Sequence, residues 1–142
     1  MENREFKKLL QECLSKYGFE YVNKKYYCTL DDVIIYIGVQ KSNFSNSYYV
    51  DYSFSLKDYH ENVKYPTYYE RDFYARFSYE KPGESYPLSE NDPTKFIASF
   101  ENNIELYILP VINGGIKQYF HLYPKYLNLA SKNVNLYFEK EK

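Results

Sequence analysis

Histidine, cysteine and glycine are scarce in this chain: two, two and five among 142 residues. His60 and His121 stand far apart, with no i, i+4 histidine pair and no Cys/His cluster, so no metal site is called for. Cys13 and Cys28 are too few for a disulfide framework and too widely spaced for a zinc knuckle. The glycines, at 18, 38, 83, 114 and 115, match neither a phosphate-cradling P-loop nor a dinucleotide fingerprint. No cofactor is therefore expected. An excess of positive charge is missing too: 18 basic side chains face 19 acidic ones, net −1. That balance gives no reason to expect nucleic acid or an anionic membrane as partner. The longest uncharged stretch, 106–116, is interrupted by Pro110 and Gly114-Gly115 and falls far short of the ~20 residues of a spanning helix. The first ten residues carry Glu2, Arg4, Glu5, Lys7 and Lys8, which is unlike the apolar run of a secretory signal. The expectation is a cytoplasmic protein with both thiols reduced and unpaired.

What the chain does hold is aromatic area. Tyrosine and phenylalanine number 20 and 10, and 44% of all residues are hydrophobic. The negative mean hydropathy undercounts tyrosine rings, which contribute strongly to a core once buried. The length suits one domain, 1–142, able to bury about two-thirds of its unfolded surface.

The first element is a helix over 3–17. Phe6, Leu9, Leu10, Cys13, Leu14 and Tyr17 follow one apolar stripe. Gly18 ends it as a left-handed C′ residue, and Phe19 follows as an apolar C″. The period then changes to two, which predicts strands at 19–22, 25–30, 33–40, 48–56 and 73–80. Residues 41–47 read as a Ser/Asn-rich loop, 56–70 as irregular with a helical turn, and 80–90 as a loop holding Pro82-Gly83 and Pro87. Asp92-Pro93 is an N-cap followed by proline at the first helical position. From there Phe96, Ile97, Phe100, Ile104, Tyr107, Ile108 and Val111 keep helical spacing. Pro110 should kink or end that helix, and Gly114-Gly115 should stop it. Short helices are expected at 116–121 and 125–130, then a charged, frayed tail over 139–142. Helix, strands, then helices without βαβ alternation define an α+β domain. Its antiparallel sheet would have four to five strands, with the N- and C-terminal helices packed on one face.

Nothing here spells out catalysis. A nucleophilic Cys28 or serine would need a histidine beside it, and Asp31-Asp32 read as turn residues. The second sheet face is more informative. With Val33, Ile35 and Ile37 against the helices, Ile34, Tyr36 and Gln40 point the other way, joined by Tyr49, Asp51, Tyr74 and Arg76. Aromatic rings and arginine are enriched where proteins bind partners. The plainer reading is that Asp51 and Arg76 form a cross-strand ion pair and the tyrosines shield an exposed sheet.

Gly18-Phe19, the aromatic hairpin after it, the strand end Val39-Gln40-Lys41-Ser42, the tyrosine-rich strand beyond and Arg76 together resemble an uncharacterised bacterial domain-of-unknown-function family. Its members carry an amphipathic helix ending in Gly-Phe and a Leu-Gln-Lys-Ser-like strand end; here Val39 takes the leucine position. The resemblance covers about the first hundred residues and implies a bacterial α+β protein without a transferable catalytic residue. Two functions remain open. One is a binding module, immunity-type or regulatory, that holds another protein through its tyrosine-rich face. The other is a small-ligand protein or enzyme with a pocket at Gln40, Lys41 and Ser42. An enclosed pocket there would favour a ligand; a flat aromatic patch, a protein; an adjacent toxin gene would favour the immunity role.

Overall fold

The structure, a computed structural model, describes residues 1–140. Helix α1 (Asn3–Ser15) buries Phe6, Leu10, Cys13 and Leu14, the stripe read from the sequence. Gly18 takes φ +83°, the left-handed turn a Cβ would oppose, and delivers buried Phe19 to the core. Strands β1 (Glu20–Val22) and β2 (Lys25–Thr29) form a hairpin. Its turn residues Asn23 and Lys24 both have positive φ, the mirror-image geometry that matches strand twist. Strands β3 (Val33–Lys41), β4 (Ser47–Leu56), β5 (Phe73–Arg76) and β6 (Tyr86–Pro87) follow. All pairing is antiparallel, in the order β1-β2-β3-β4-β5, with β6 also on β4. The α+β class stands; five strands make up the main path of the sheet, and the two-residue β6 adds a sixth on β4 among the described residues.

One sheet face packs under α1, α2 (Pro93–Asn103), α3 (Leu109–Leu122) and α4 (Lys132–Lys140). Phe6 sits among Tyr48, Tyr86, Phe96 and Phe100, with ring centroids 5.3–5.8 Å away. A second aromatic knot joins Tyr52, Phe54, Phe73 and Tyr119. Inside it the Tyr52 and Tyr119 hydroxyls are 2.7 Å apart. Burial, and then Tyr119, hold the Tyr52 hydroxyl protonated far above the usual tyrosine range. Each hydroxyl is the other's partner, so Tyr119→Phe should cost about 1–3 kcal/mol by orphaning Tyr52. Adding Tyr52→Phe should recover most of that loss, a coupling that urea denaturation of the two single variants and the double will show. Equal and additive losses would mean the pair is not coupled.

The helical region departs from expectation in several places. Asp92 caps α2 through Lys95 N–H, at 3.1 Å. A π-helical turn, Ile104–Ile108, then sends Leu109 N–H back to Ile104 C=O. The chain stays helical through Pro110 because the carbonyl four residues earlier, on Leu106, accepts the Tyr123 hydroxyl at 2.6 Å. Where the proline was expected to kink or end the helix, the chain passes through the π turn and continues. Gly115, at φ +73° and ψ −177°, breaks α3 locally, and helix resumes to Leu122. The short helix expected at 125–130 is a 3-10 segment, Pro124–Leu129. Helix α4 was not foreseen; the end of the tail read as frayed, Glu141 and Lys142, lies outside the described residues.

Strand β5 ends at Arg76 instead of at 80. One further bond, Phe77 N–H to Val50 C=O at 2.8 Å, continues the ladder. Phe77 and Tyr79 keep the alternation going in sequence because both are buried, although the backbone leaves the sheet after Phe77.

Candidate functional site

The second sheet face is only half open. Residues 57–72, with 3-10 turns at Lys57–Tyr59 and Tyr68–Glu70, lie across its β2–β3 side. Tyr27 donates to Pro66 C=O and Tyr36 to Thr67 C=O, both at 2.9 Å. Tyr27, Ile34 and Tyr36 form a small second core, with Val22 and Tyr65 packed against it. Tyr36 is 2% exposed, so it is a strut beneath the covering segment, not a surface anchor. Burial pushes its phenol well above the ordinary range.

Beyond that cover, strand register assembles the remaining residues. Gly38, Asp51 and Arg76 align across β3, β4 and β5; Tyr36, Ser53 and Tyr74 form the next row; Gln40 lies opposite Tyr49. Arg76 Nε donates to Asp51 Oδ1 at 3.1 Å, and its guanidinium lies 3.9 Å from the Tyr49 ring centre. Partial burial raises the Asp51 pKa, with Arg76 pulling the other way. Gln40, Tyr49, Asp51, Tyr74 and Arg76 thus share one surface. Lys41 and Ser42 do not. Lys41 Nζ turns to Asn46 Oδ1 and to the Tyr48 ring on the helix side. Ser42 Oγ accepts Phe44 N–H inside the hairpin loop.

The structure adds residues that alternation could not supply. Arg71 stacks its guanidinium between two rings, 3.7 Å from Tyr74 and 4.5 Å from Tyr68. Tyr68 and Tyr69 are 70% and 87% exposed. They sit on the covering segment, which has no period to read; its clustered Tyr68-Tyr69 and Arg71 were the available signal. A shallow hollow of about 210 Å³ lies between Gln40, Asp51, Ser53 and Arg71. A larger cleft, about 700 Å³, opens past β5 towards Tyr107, Tyr126 and Leu129.

Other polar groups serve the fold. His60 Nε2 meets the Asp72 carboxylate at 2.9 Å, and Ser131 Oγ donates to the same carboxylate at 2.7 Å. The serine therefore bonds the acid directly rather than the imidazole, which is not the arrangement that activates a nucleophile. Cys13 and Cys28 are free and buried. Burial, and then the nearby Glu101 carboxylate, push the Cys13 thiol up to about 11, which disfavours a reactive thiolate. Among the described residues, no three His, Cys, Asp or Glu side chains gather into a metal-binding group. No described helix is long and apolar enough to cross a membrane.

An antiparallel sheet with helices on one face and an arginine–tyrosine surface on the other is the class this chain represents. The family profile of a domain of unknown function, DUF4304, matches residues 10–114, and the chain belongs to that family. No curated protein and no solved structure matches it.

Proposed function

We propose that this domain is a non-catalytic binding module of a bacterial cytoplasm, immunity-type or regulatory, that holds another protein through the exposed half of its second sheet face. The carrying observation is the pair of stacked guanidinium groups, Arg71 between Tyr68 and Tyr74 and Arg76 on Tyr49. Stacking fixes each planar fork in place, so less freedom is lost when it bonds a partner. Tyrosine and arginine are also the side chains that most often anchor interfaces. The hollow beside Gln40, at about 210 Å³, lies below the usual size of small-molecule pockets, which speaks against a ligand pocket at the Gln40–Ser42 strand end.

The test is affinity capture from the native host, wild type against Arg71→Glu and Arg76→Glu. Arg76 is exposed but Asp51 is partly buried, so Arg76→Glu, which sets two carboxylates opposite each other, should cost more than the ~0–1 kcal/mol of an exposed pair. Urea denaturation checks that both variants are folded before capture. Binding should weaken by about 1–2 kcal/mol or more, as anchors do. A partner retained equally by all three proteins would place the interface elsewhere.

A further inference from the structure

The outer side of β5 is one of the sheet's two edges, β1 being the other, and its hydrogen-bonding groups are unevenly provided for. Phe77 N–H bonds Val50 C=O. By antiparallel alternation, Phe73, Ala75 and Phe77 then turn their backbone groups toward β4, while Tyr74, Arg76 and Ser78 turn theirs outward. Both ends of this edge are closed by the chain itself. At one end Ser131 N–H donates to Asp72 C=O at 2.7 Å. At the other, the Asn103 side-chain amide acts as a substitute peptide group: its Oδ1 accepts Ser78 N–H and its Nδ2 donates to Ser78 C=O, both at 2.9 Å. Between those closures, no group among the described residues bonds the outward N–H and C=O of Tyr74 and Arg76.

The two flanks of this window differ in chemistry. On the helix side lies the cleft of about 700 Å³, with an apolar wall of Phe73, Ala75, Tyr107, Tyr126 and Leu129 and with Arg76, Glu80 and Lys81 also on its lining. On the other side stand Arg71 and Arg76. Asp51 pairs with Arg76, and among the described residues no carboxylate forms an ion pair with Arg71.

We infer that the partner of this domain adds an extended segment to the outer edge of β5, bonding the backbone of Tyr74 and Arg76, with alternate side chains apolar and acidic. Side chains of a strand point to opposite faces in turn. One set therefore reaches the apolar wall of the cleft, and the other places a carboxylate against Arg71. Strand addition of this kind takes its affinity from main-chain bonds and its specificity from pockets for alternate residues. A second copy of this chain is a poorer occupant. Its own β5 would offer the cleft only Ala75, since Phe73 is already buried, and would bring arginine-bearing flanks together. The inference rests on the binding-module reading and names the partner's chemistry.

The probe is a capped seven-residue peptide alternating leucine with glutamate, titrated into the full chain while amide hydrogen exchange is followed residue by residue. The Tyr74 and Arg76 amides should exchange about tenfold or more slowly with peptide bound, as newly bonded amides do. Of two versions N-methylated at alternate residues, one should lose about tenfold or more in affinity and the other little, because only one phase of a strand's N–H groups faces its neighbour. Leu129→Asp, at a side chain 73% exposed, should weaken the peptide several-fold with the fold intact. Exchange at Tyr74 and Arg76 unchanged by ~1 mM peptide, or equal binding by both methylated versions, would overturn the inference. So would protection that rises with protein concentration in the absence of peptide, which would assign the edge to a second copy. If Arg71→Glu abolishes capture of the host partner while these amides stay unprotected, the binding-module reading survives and strand addition falls. Protected amides with capture indifferent to Arg71 would mean the opposite: strand addition stands, and the arginine–tyrosine surface is not the anchor.

Discussion

Replacing Asp72 with alanine is expected to lower stability by about 3–5 kcal/mol, as removal of one member of a buried charged network does. The side chain is 1% exposed and accepts four hydrogen bonds. Leu56 N–H and His60 Nε2 reach Oδ2 at 2.7 and 2.9 Å; Ser131 Oγ and Asn133 Nδ2 reach Oδ1 at 2.7 and 2.9 Å. These donors come from the end of β4, from the segment covering the second sheet face, and from the start of α4. Three parts of the fold therefore converge on one carboxylate. Alanine would leave each donor without its acceptor, and a buried unpaired group costs about 1–3 kcal/mol. Asp72→Asn keeps the shape and one acceptor oxygen, so it should fall between alanine and wild type. Urea denaturation at neutral pH reads both. An alanine variant with the wild-type midpoint would mean that water replaces the carboxylate without penalty.

Asp72 also illustrates where sequence reading stops. It precedes a strand by one residue and shows no periodic partner; the residues that bond it lie up to 61 positions away. By contrast, α1 could be read directly, because a stripe of Phe6, Leu10, Cys13 and Leu14 buries the same side of every turn. Strands β3 and β4 were equally legible from alternation, and parity alone put Gln40, Asp51 and Arg76 on a common face. Parity does not say what covers a face. Ile34 and Tyr36 were placed correctly on the second face but are buried there, because residues 57–72 fold back over them. That segment has no repeat, and its docking depends on distant carbonyl acceptors. The same gap hid Arg71 and Tyr68, half of the proposed binding surface. The passage of the helix through Pro110 was also hidden, since the carbonyl it frees on Leu106 is taken by a tyrosine hydroxyl from further along the chain.

Leu10→Asp should have the largest effect of any substitution considered, about 4 kcal/mol or more, because it combines lost apolar burial with a desolvated carboxylate. Leu10 is fully buried, as are Phe6 and Leu14 on the same stripe. Phe6, one turn earlier, is ringed by Tyr48 and Tyr86 from the sheet and by Phe96 and Phe100 from α2. An aspartate at position 10 would thus stand at the seam between helix and sheet, against apolar neighbours and aromatic rings. Leu10→Ala removes only the burial and should cost about 2–5 kcal/mol. Gln11→Asp, one position on and exposed, adds the same charge on the solvent side and should shift stability by less than about 0.5 kcal/mol. Against a total stability of roughly 5–15 kcal/mol, Leu10→Asp should leave a substantial part of the protein unfolded at ambient temperature. Circular dichroism and urea titration of the three variants separate the contributions: the alanine loss measures packing, and the further loss to aspartate measures the buried charge. An aspartate variant as stable as Gln11→Asp would mean that α1 is not docked on the sheet, and the aromatic cluster around Phe6 would then have to be held by the sheet and α2 alone.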